Sequence, residues 1–170
     1  MAISVGETVP SGEFVYVPYE PALDDNMVCG TPQKYTTDSW KGKKVVVLSV
    51  VGAFTGTCHG QIPGYKTLLN KFKERNVEVV AVVNSNDPFV NSGWARVQGI
   101  SNEMVFLSDT FSKWTEQLGL TVDLTAVGLG VRTGRWVMVL DDLKVTSLEV
   151  ESNPGAVTVT AADKVLAGLQ

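Results

Sequence analysis

The sequence predicts an α/β domain, a mixed central sheet with helices on both faces. Two apolar runs, Lys44–Val50 and Val77–Ser85, have the continuous β-branched character of strands buried on both sides. Each is followed by a segment in which apolar residues recur at helical spacing or a helix-start signal stands. The chain then ends in an alternating hairpin pattern and one more helix. Strands alternating with helices in this way stack as layers around one core.

The elements follow in order. Residues 1–43 are rich in turn formers (Pro10, Gly12, Pro18, Pro21, Gly30, Pro32) and read as irregular apart from a short strand in EFVYVPY. After the Lys44–Val50 strand, Ile62, Tyr65, Leu68, Leu69 and Phe72 mark a helix that Asn76 closes. Pro63 should bend or break it just after the first turn. The strand VEVVAVVNS comes next, and Asp87-Pro88 opens a helix with an aspartate cap and proline in the first turn. MVFLSD reads as a strand and TFSKWTEQLGL as a helix. RWVMVLDDLKVTSLEV is a hairpin turning at Asp141-Asp142. In TAADKVLAGL, Thr160 and Asp163 stand at capping-box spacing before a terminal helix. With no repeat or low-complexity segment, residues 1–170 form a single domain.

Composition narrows the function. The chain is 44% hydrophobic over 170 residues, enough for a substantial core. A net charge of -4 argues against nucleic acid as a partner, because phosphate binding wants a basic face. The basic cluster at Lys41, Lys43 and Lys44 reads as a solvated turn. The N-terminus lacks a secretory pattern, and the longest apolar stretch falls far short of the ~20 residues of a membrane helix. The expectation is a cytoplasmic protein with no membrane span. Two cysteines, Cys29 and Cys58, and one histidine, His59, make a poor zinc set, so neither metal nor cofactor is expected.

Cys58 falls where the first buried strand has ended and a helix begins, and open α/β sheets place their chemistry at such strand ends. Free thiols titrate near ~8.5, and lowering that to about 6 takes roughly 3 kcal/mol of preference for the anion. A helix N-terminus supplies at most ~2 kcal/mol, so a cation must help. Arg132 and Arg135, in GVRTGRW, either reach the active edge of the sheet or decorate the surface; the residues alone leave this open. His59 is the conspicuous neighbour, but adjacent helix positions point about 100° apart, so it should face solvent. Thr55 could bond the sulfur or a bound oxygen, or could cap the first turn. GLGVRTG does not join a strand to a helix as a phosphate loop must.

The segments GAFTGTC…IPGY, NSNDPFVNSGWA, FLSD…FSKWTEQLGL and GVRTGRWVMVL together resemble the type II, peroxiredoxin-5-like peroxiredoxins. The likeness covers nearly the whole chain. It is strongest to their fungal branch of alkyl hydroperoxide reductases and peroxisomal-membrane-protein-like allergens. It implies a thioredoxin-like fold and reduction of hydrogen peroxide and alkyl hydroperoxides. It further implies that Cys58 is the peroxidatic cysteine, with Thr55 and Arg135 holding the peroxide oxygens. Type II members commonly carry a resolving cysteine near the C-terminus, where this chain has Val159. The fungal branch instead has one before a proline-containing turn, as in VCGTPQKY, which makes Cys29 the resolving cysteine. The implied partners are a hydroperoxide, thioredoxin or another thiol reductant, and a second copy of the chain in a homodimer.

Two departures stand out. The motif's first proline is Val51 here, and the proline between threonine and cysteine is Gly56. Both exchanges loosen the loop, so lowered peroxidase activity is expected. They also raise a rival reading, a holdase chaperone or redox-signalling binding protein with weak turnover. A glutaredoxin-like thiol transferase fits less well, because the cis-proline it needs is absent near Gly134-Arg135.

Overall fold

A computed structural model describes residues 1–169. Its main sheet has seven strands: β1 (Glu13–Tyr16), β2 (Gln33–Thr36), β3 (Lys44–Ser49), β4 (Val77–Asn84), β5 (Val105–Ser108), β8 (Trp136–Asp141) and β9 (Lys144–Val150). They lie in the order β2-β1-β5-β4-β3-β8-β9. β3, β4 and β5 run parallel, while β8 pairs antiparallel with β3 and β1 with β5, so the sheet is mixed. A small second sheet joins β6 (Thr121–Leu124) to β7 (Gly130–Thr133). The helices are α1 (Gly56–Glu74), α2 (Pro88–Val97), α3 (Lys113–Gln117) and α4 (Ala162–Gly168). This is the thioredoxin-like α/β architecture, with helices on both faces.

The alternation within β3 shows why one sheet supports two cores. Val46 and Leu48 pack with Ile62, Tyr65 and Phe72 of α1, Trp94 of α2 and Val165 of α4. Val45 and Val47 point the other way, to Phe14, Trp40, Trp114 and Trp136. Trp114 meets Trp40 and Trp136 at ring-centroid distances of 5.8 and 6.2 Å. Burial on both faces explains the unbroken apolar run.

Several expectations need correction. Pro63 does not break α1, which runs 19 residues. Proline removes the N–H that would satisfy the His59 carbonyl four residues back. Gln98 Nε2 donates to that carbonyl instead, at 3.0 Å. The terminal helix begins at Ala162 without a side-chain cap, because the Thr160 hydroxyl is committed to Glu151. TFSKWTEQLGL holds only a 3-10 turn and the short α3, since Phe111 and Ser112 are left-handed (φ 62° and 54°). The hairpin turns at Asp142-Leu143, both at positive φ, one residue later than expected. The N-terminal region is more regular than its turn residues suggest, with β2 pairing against β1. Among the described residues, no helix is long and apolar enough to cross a membrane.

Candidate active site

The site is assembled where β3 ends. Between Gly52 and Thr55 the chain turns sharply, with Phe54 left-handed at φ 61°. Asn86, just past β4, holds this turn: its Oδ1 accepts from the Ala53 amide at 2.9 Å. Thr55 is the N-cap of α1 by backbone geometry, and its carbonyl accepts the first helical bond, from His59 N at 2.8 Å. Cys58 is therefore the third residue of the helix, amid amides that have no partner within the helix. It is completely buried.

Arg135 arrives from the neighbouring strand. Ser49 of β3 pairs with Trp136 of β8, so the residue before Trp136 lies beside the end of β3. Two hydroxyls staple this junction: Thr133 Oγ1 donates to Val50 O and Ser49 Oγ to Gly134 O, both at 2.7 Å. Gly134 is needed for close approach, since a Cβ there would stand 2.8 Å from the Leu120 carbonyl oxygen. Arg135, which follows, is 2% exposed, and each of its three guanidinium nitrogens makes one hydrogen bond. Nη2 donates to Cys58 Sγ at 3.2 Å, Nη1 to Gln61 Oε1 at 2.6 Å and Nε to Pro154 O at 2.8 Å. The latter two acceptors are neutral. Among the described residues no carboxylate forms an ion pair with Arg135.

Of the two arginines, Arg135 is the one that contacts the Cys58 sulfur. Arg132 lies half-buried under the loop, donating from Nε to Leu129 O at 2.6 Å and from Nη1 to Asn86 Oδ1 at 3.5 Å. Thr55 Oγ1 donates to Gly52 O at 3.0 Å and not to the sulfur. It lines, with Val51, Gly56, Thr57, Leu124, Leu129 and Arg135, an open cavity of about 310 Å³ beside the turn that leads into α1. Cys29 is an exposed free thiol in the loop before β2. His59 departs from expectation. It does point away from Cys58, but α2 packs over it and Trp94 Nε1 donates to its Nδ1 at 3.1 Å, leaving it half-buried.

Sequence reasoning missed Gln61, Glu151 and Thr160. Gln61 bridges Arg135 to the segment after β9: its Nε2 donates to Thr160 O at 3.1 Å and to Thr160 Oγ1 at 3.0 Å. Glu151 accepts from the amides and hydroxyls of both Thr158 and Thr160. Burial works against its charge, but these four bonds outweigh burial and hold the carboxyl down at about 2. Tyr65 donates to Thr160 O at 2.6 Å. Burial, with the Asp163 and Glu151 carboxylates adding to it, pushes the Tyr65 hydroxyl far above its usual range, so it remains a donor. One clue to Gln61 was available: a polar residue on the buried stripe of α1, one turn after Cys58. Among the described residues no group of side chains could hold a metal ion.

Known proteins resemble the chain along its whole length. The Redoxin family model matches residues 4–166. A Malassezia furfur protein with a peroxiredoxin name is 36% identical over 97% of this chain and 95% of its own. Peroxiredoxin-2C of Oryza sativa subsp. japonica is 35% identical over 98% of both chains. The crystal structure of reduced Prx3 from Vibrio vulnificus in complex with hydrogen peroxide superposes with a TM-score of 0.86, at 32% identity and 99% coverage of each chain.

Proposed function

The chain belongs to the redoxin family, in its peroxiredoxin group, and on that premise we propose that Cys58 is the peroxidatic cysteine of a thiol peroxidase acting on hydrogen peroxide and alkyl hydroperoxides. The observation that carries this reading is the buried Arg135 aimed at the Cys58 sulfur at 3.2 Å. The thiolate attacks one peroxide oxygen. A sulfur–oxygen bond forms with the sulfur's electron pair, the oxygen–oxygen bond breaks, and the leaving oxygen takes a proton and departs as water or alcohol. Cys58 is left as a sulfenic acid. Arg135 stabilises the charge that develops on the departing oxygen, and a peroxide oxygen replaces Gly52 O as partner of the Thr55 hydroxyl. Val51, Leu124 and Leu129 give the cavity an apolar wall suited to an alkyl group.

Cys29 resolves the sulfenic acid: its thiolate attacks the Cys58 sulfur, a disulfide forms and water leaves. Cys29 is exposed and Cys58 wholly buried, so the start of α1 must open before the sulfurs meet. Thioredoxin or a similar dithiol then reduces the disulfide. The VCGTPQKY context of Cys29 supports a place in the fungal branch. A homodimer, in which the disulfide would join subunits, is supported by Phe54, Phe89 and Phe111, which follow the C-terminal ends of the parallel strands β3, β4 and β5 and stay 52, 48 and 80% exposed. Two unpaired cysteines suit the cytoplasm.

Single-turnover oxidation tests the reading. Stoichiometric hydrogen peroxide should consume the Cys58 thiol orders of magnitude faster than free cysteine, followed by a dimer band on a non-reducing gel. A rate no faster than free cysteine sinks the peroxidase. A dimer band persisting in Cys29→Ser sinks the resolving role.

A further inference from the structure

We propose that Glu151 is a positioning residue for the peroxidase reaction, acting on Arg135 through Thr160 and Gln61. The inference rests on the peroxidase reading above and adds residues to it. It starts from the segment between β9 and α4, which straps across the catalytic arginine. Pro154 O takes Arg135 Nε, and Gly155 O accepts from Thr57 Oγ1 at 3.1 Å, beside Cys58. Glu151 opens the strap, and its own amide donates to the Arg135 carbonyl at 3.0 Å. The hydrogen bonds thus form a closed circuit: Arg135 backbone, Glu151, Thr160, Gln61, and back to the Arg135 side chain.

Donor and acceptor polarity gives this circuit a direction. A carboxylate can only accept, so the Thr160 hydroxyl must spend its one proton on Glu151, at 2.9 Å. Its lone pairs then face Gln61, which can answer only with its amide N–H. That bond, with a second from Nε2 to the Thr160 carbonyl at 3.1 Å, turns the Gln61 amide with Oε1 toward Arg135, at 2.6 Å. Were the amide reversed, N–H would meet N–H of the guanidinium. Gln61 Oε1 and Pro154 O together set the plane of the fork, and the remaining nitrogen falls on the sulfur. A buried network satisfied at every member holds one geometry, and small displacements of a catalytic cation are costly in rate.

Thr158 provides the discriminating comparison. It gives Glu151 the same pair of bonds as Thr160, from its amide at 2.6 Å and hydroxyl at 2.7 Å. Unlike Thr160, it makes no hydrogen bond to Gln61. Thr158→Val and Thr160→Val each delete one hydroxyl–carboxylate bond from the same acid, and only the second also removes a bond to Gln61, leaving it the Thr160 carbonyl as its one Thr160 acceptor. Thr160 is fully buried and Thr158 exposed, so Thr160→Val should lose more Tm, and the rate of Cys58 oxidation is the readout that separates the two variants. Thr160→Val should slow single-turnover oxidation of Cys58 by about tenfold, within the range known for misplaced catalytic groups, and Thr158→Val should leave it within about twofold. Glu151→Gln should slow it too, and Glu151→Gln with Thr160→Val should be no slower than the worse single variant, because both act along one path. Equal rates in the two threonine variants, or independent multiplication in the double variant, overturn the inference. A wild-type protein that fails to outpace free cysteine overturns the peroxidase reading itself, so the two failures are distinct.

Discussion

Cys58 is wholly buried at the head of a 19-residue helix, whereas Cys29 sits exposed in a loop where Leu23 is the one buried side chain between residues 20 and 32. The turn that carries Cys58 is tied from every side. Arg135 reaches the sulfur, Thr57 the strap, Trp94 and Gln98 the next residue, and Gln61 the segment after β9. The Cys29 loop is pinned chiefly at Leu23, whose carbonyl accepts from Arg96 Nη1 at 2.6 Å. The contrast fits the roles proposed for the two sulfurs. Reaction with peroxide rewards a fixed geometry before the reactant arrives. Resolution rewards a thiol that can travel, and a loop with few buried contacts opens at little cost.

The strongest break of this comparison exchanges each cysteine. Cys58→Ser should abolish peroxide consumption entirely. Cys29→Ser should leave the first, stoichiometric oxidation of Cys58 unchanged within about twofold, as expected of a group outside the first chemical step, and abolish thioredoxin-driven turnover. Stopped-flow fluorescence follows the first step and a coupled thioredoxin assay the second. Loss of the first step in Cys29→Ser would mean that the mobile sulfur also serves the fixed one.

Next in size is Arg135→Lys. Lysine keeps the charge but has one nitrogen where three are used, for Cys58, Gln61 and Pro154. A loss of about 10²–10³ in the rate constant with hydrogen peroxide is expected, the scale for removing a preorganised donor. Arg132→Lys should cost far less, since Arg132 touches Leu129 and Asn86 rather than the sulfur. Equal losses would mean that total charge matters here and the fork does not.

The same contrast explains what was legible in the sequence. β3, β4 and the Asp87-Pro88 helix start were readable because burial on both faces and capping leave local patterns. Cys58 was readable from its place after β3. The energy argument called for a cation, but local pattern could not choose between Arg132 and Arg135; the pairing of β8 with β3 chooses. Gln61 and Glu151 were invisible for a similar reason. The partners of Gln61 lie 74 and 99 residues away, at Arg135 and Thr160, while those of Glu151, 7 and 9 residues away, lie in an irregular segment where no local period records a contact. Thr160 was misread as a helix cap because its spacing to Asp163 fits one, yet a buried carboxylate competes better for its hydroxyl.

Acid should erode the stability that the strap contributes. Glu151 sits near 2 in the folded protein against 4.5 for an ordinary glutamate. Because folding depresses it, its stabilisation is complete above that ordinary value and is lost as pH falls through the folded one. Thermal melts from pH 6 down to 2 should show wild type losing Tm more steeply below about pH 4.5 than Glu151→Gln, which has no proton to take up there. Parallel curves would mean that Glu151 is not held by the Thr158 and Thr160 bonds in solution.

The smallest effect tests whether the catalytic turn is as fixed as it could be. Gly56 begins α1, where proline is tolerated because the first amides have no helical partner. A Cβ there would meet nothing within 4 Å. Thr55, the residue before it, is already extended at φ -74° and ψ 144°, as a pre-proline residue must be. Gly56→Pro should therefore remove freedom from the unfolded chain without distorting the folded one, for a gain of about 0.4–1 kcal/mol. Calorimetry should show a raised Tm, and stopped-flow oxidation a rate up to about twofold faster, because the turn spends more time in its reactive form. A raised Tm with a slower rate would reverse the lesson drawn from the two cysteines: the fixed sulfur would then owe part of its reactivity to the freedom of Gly56.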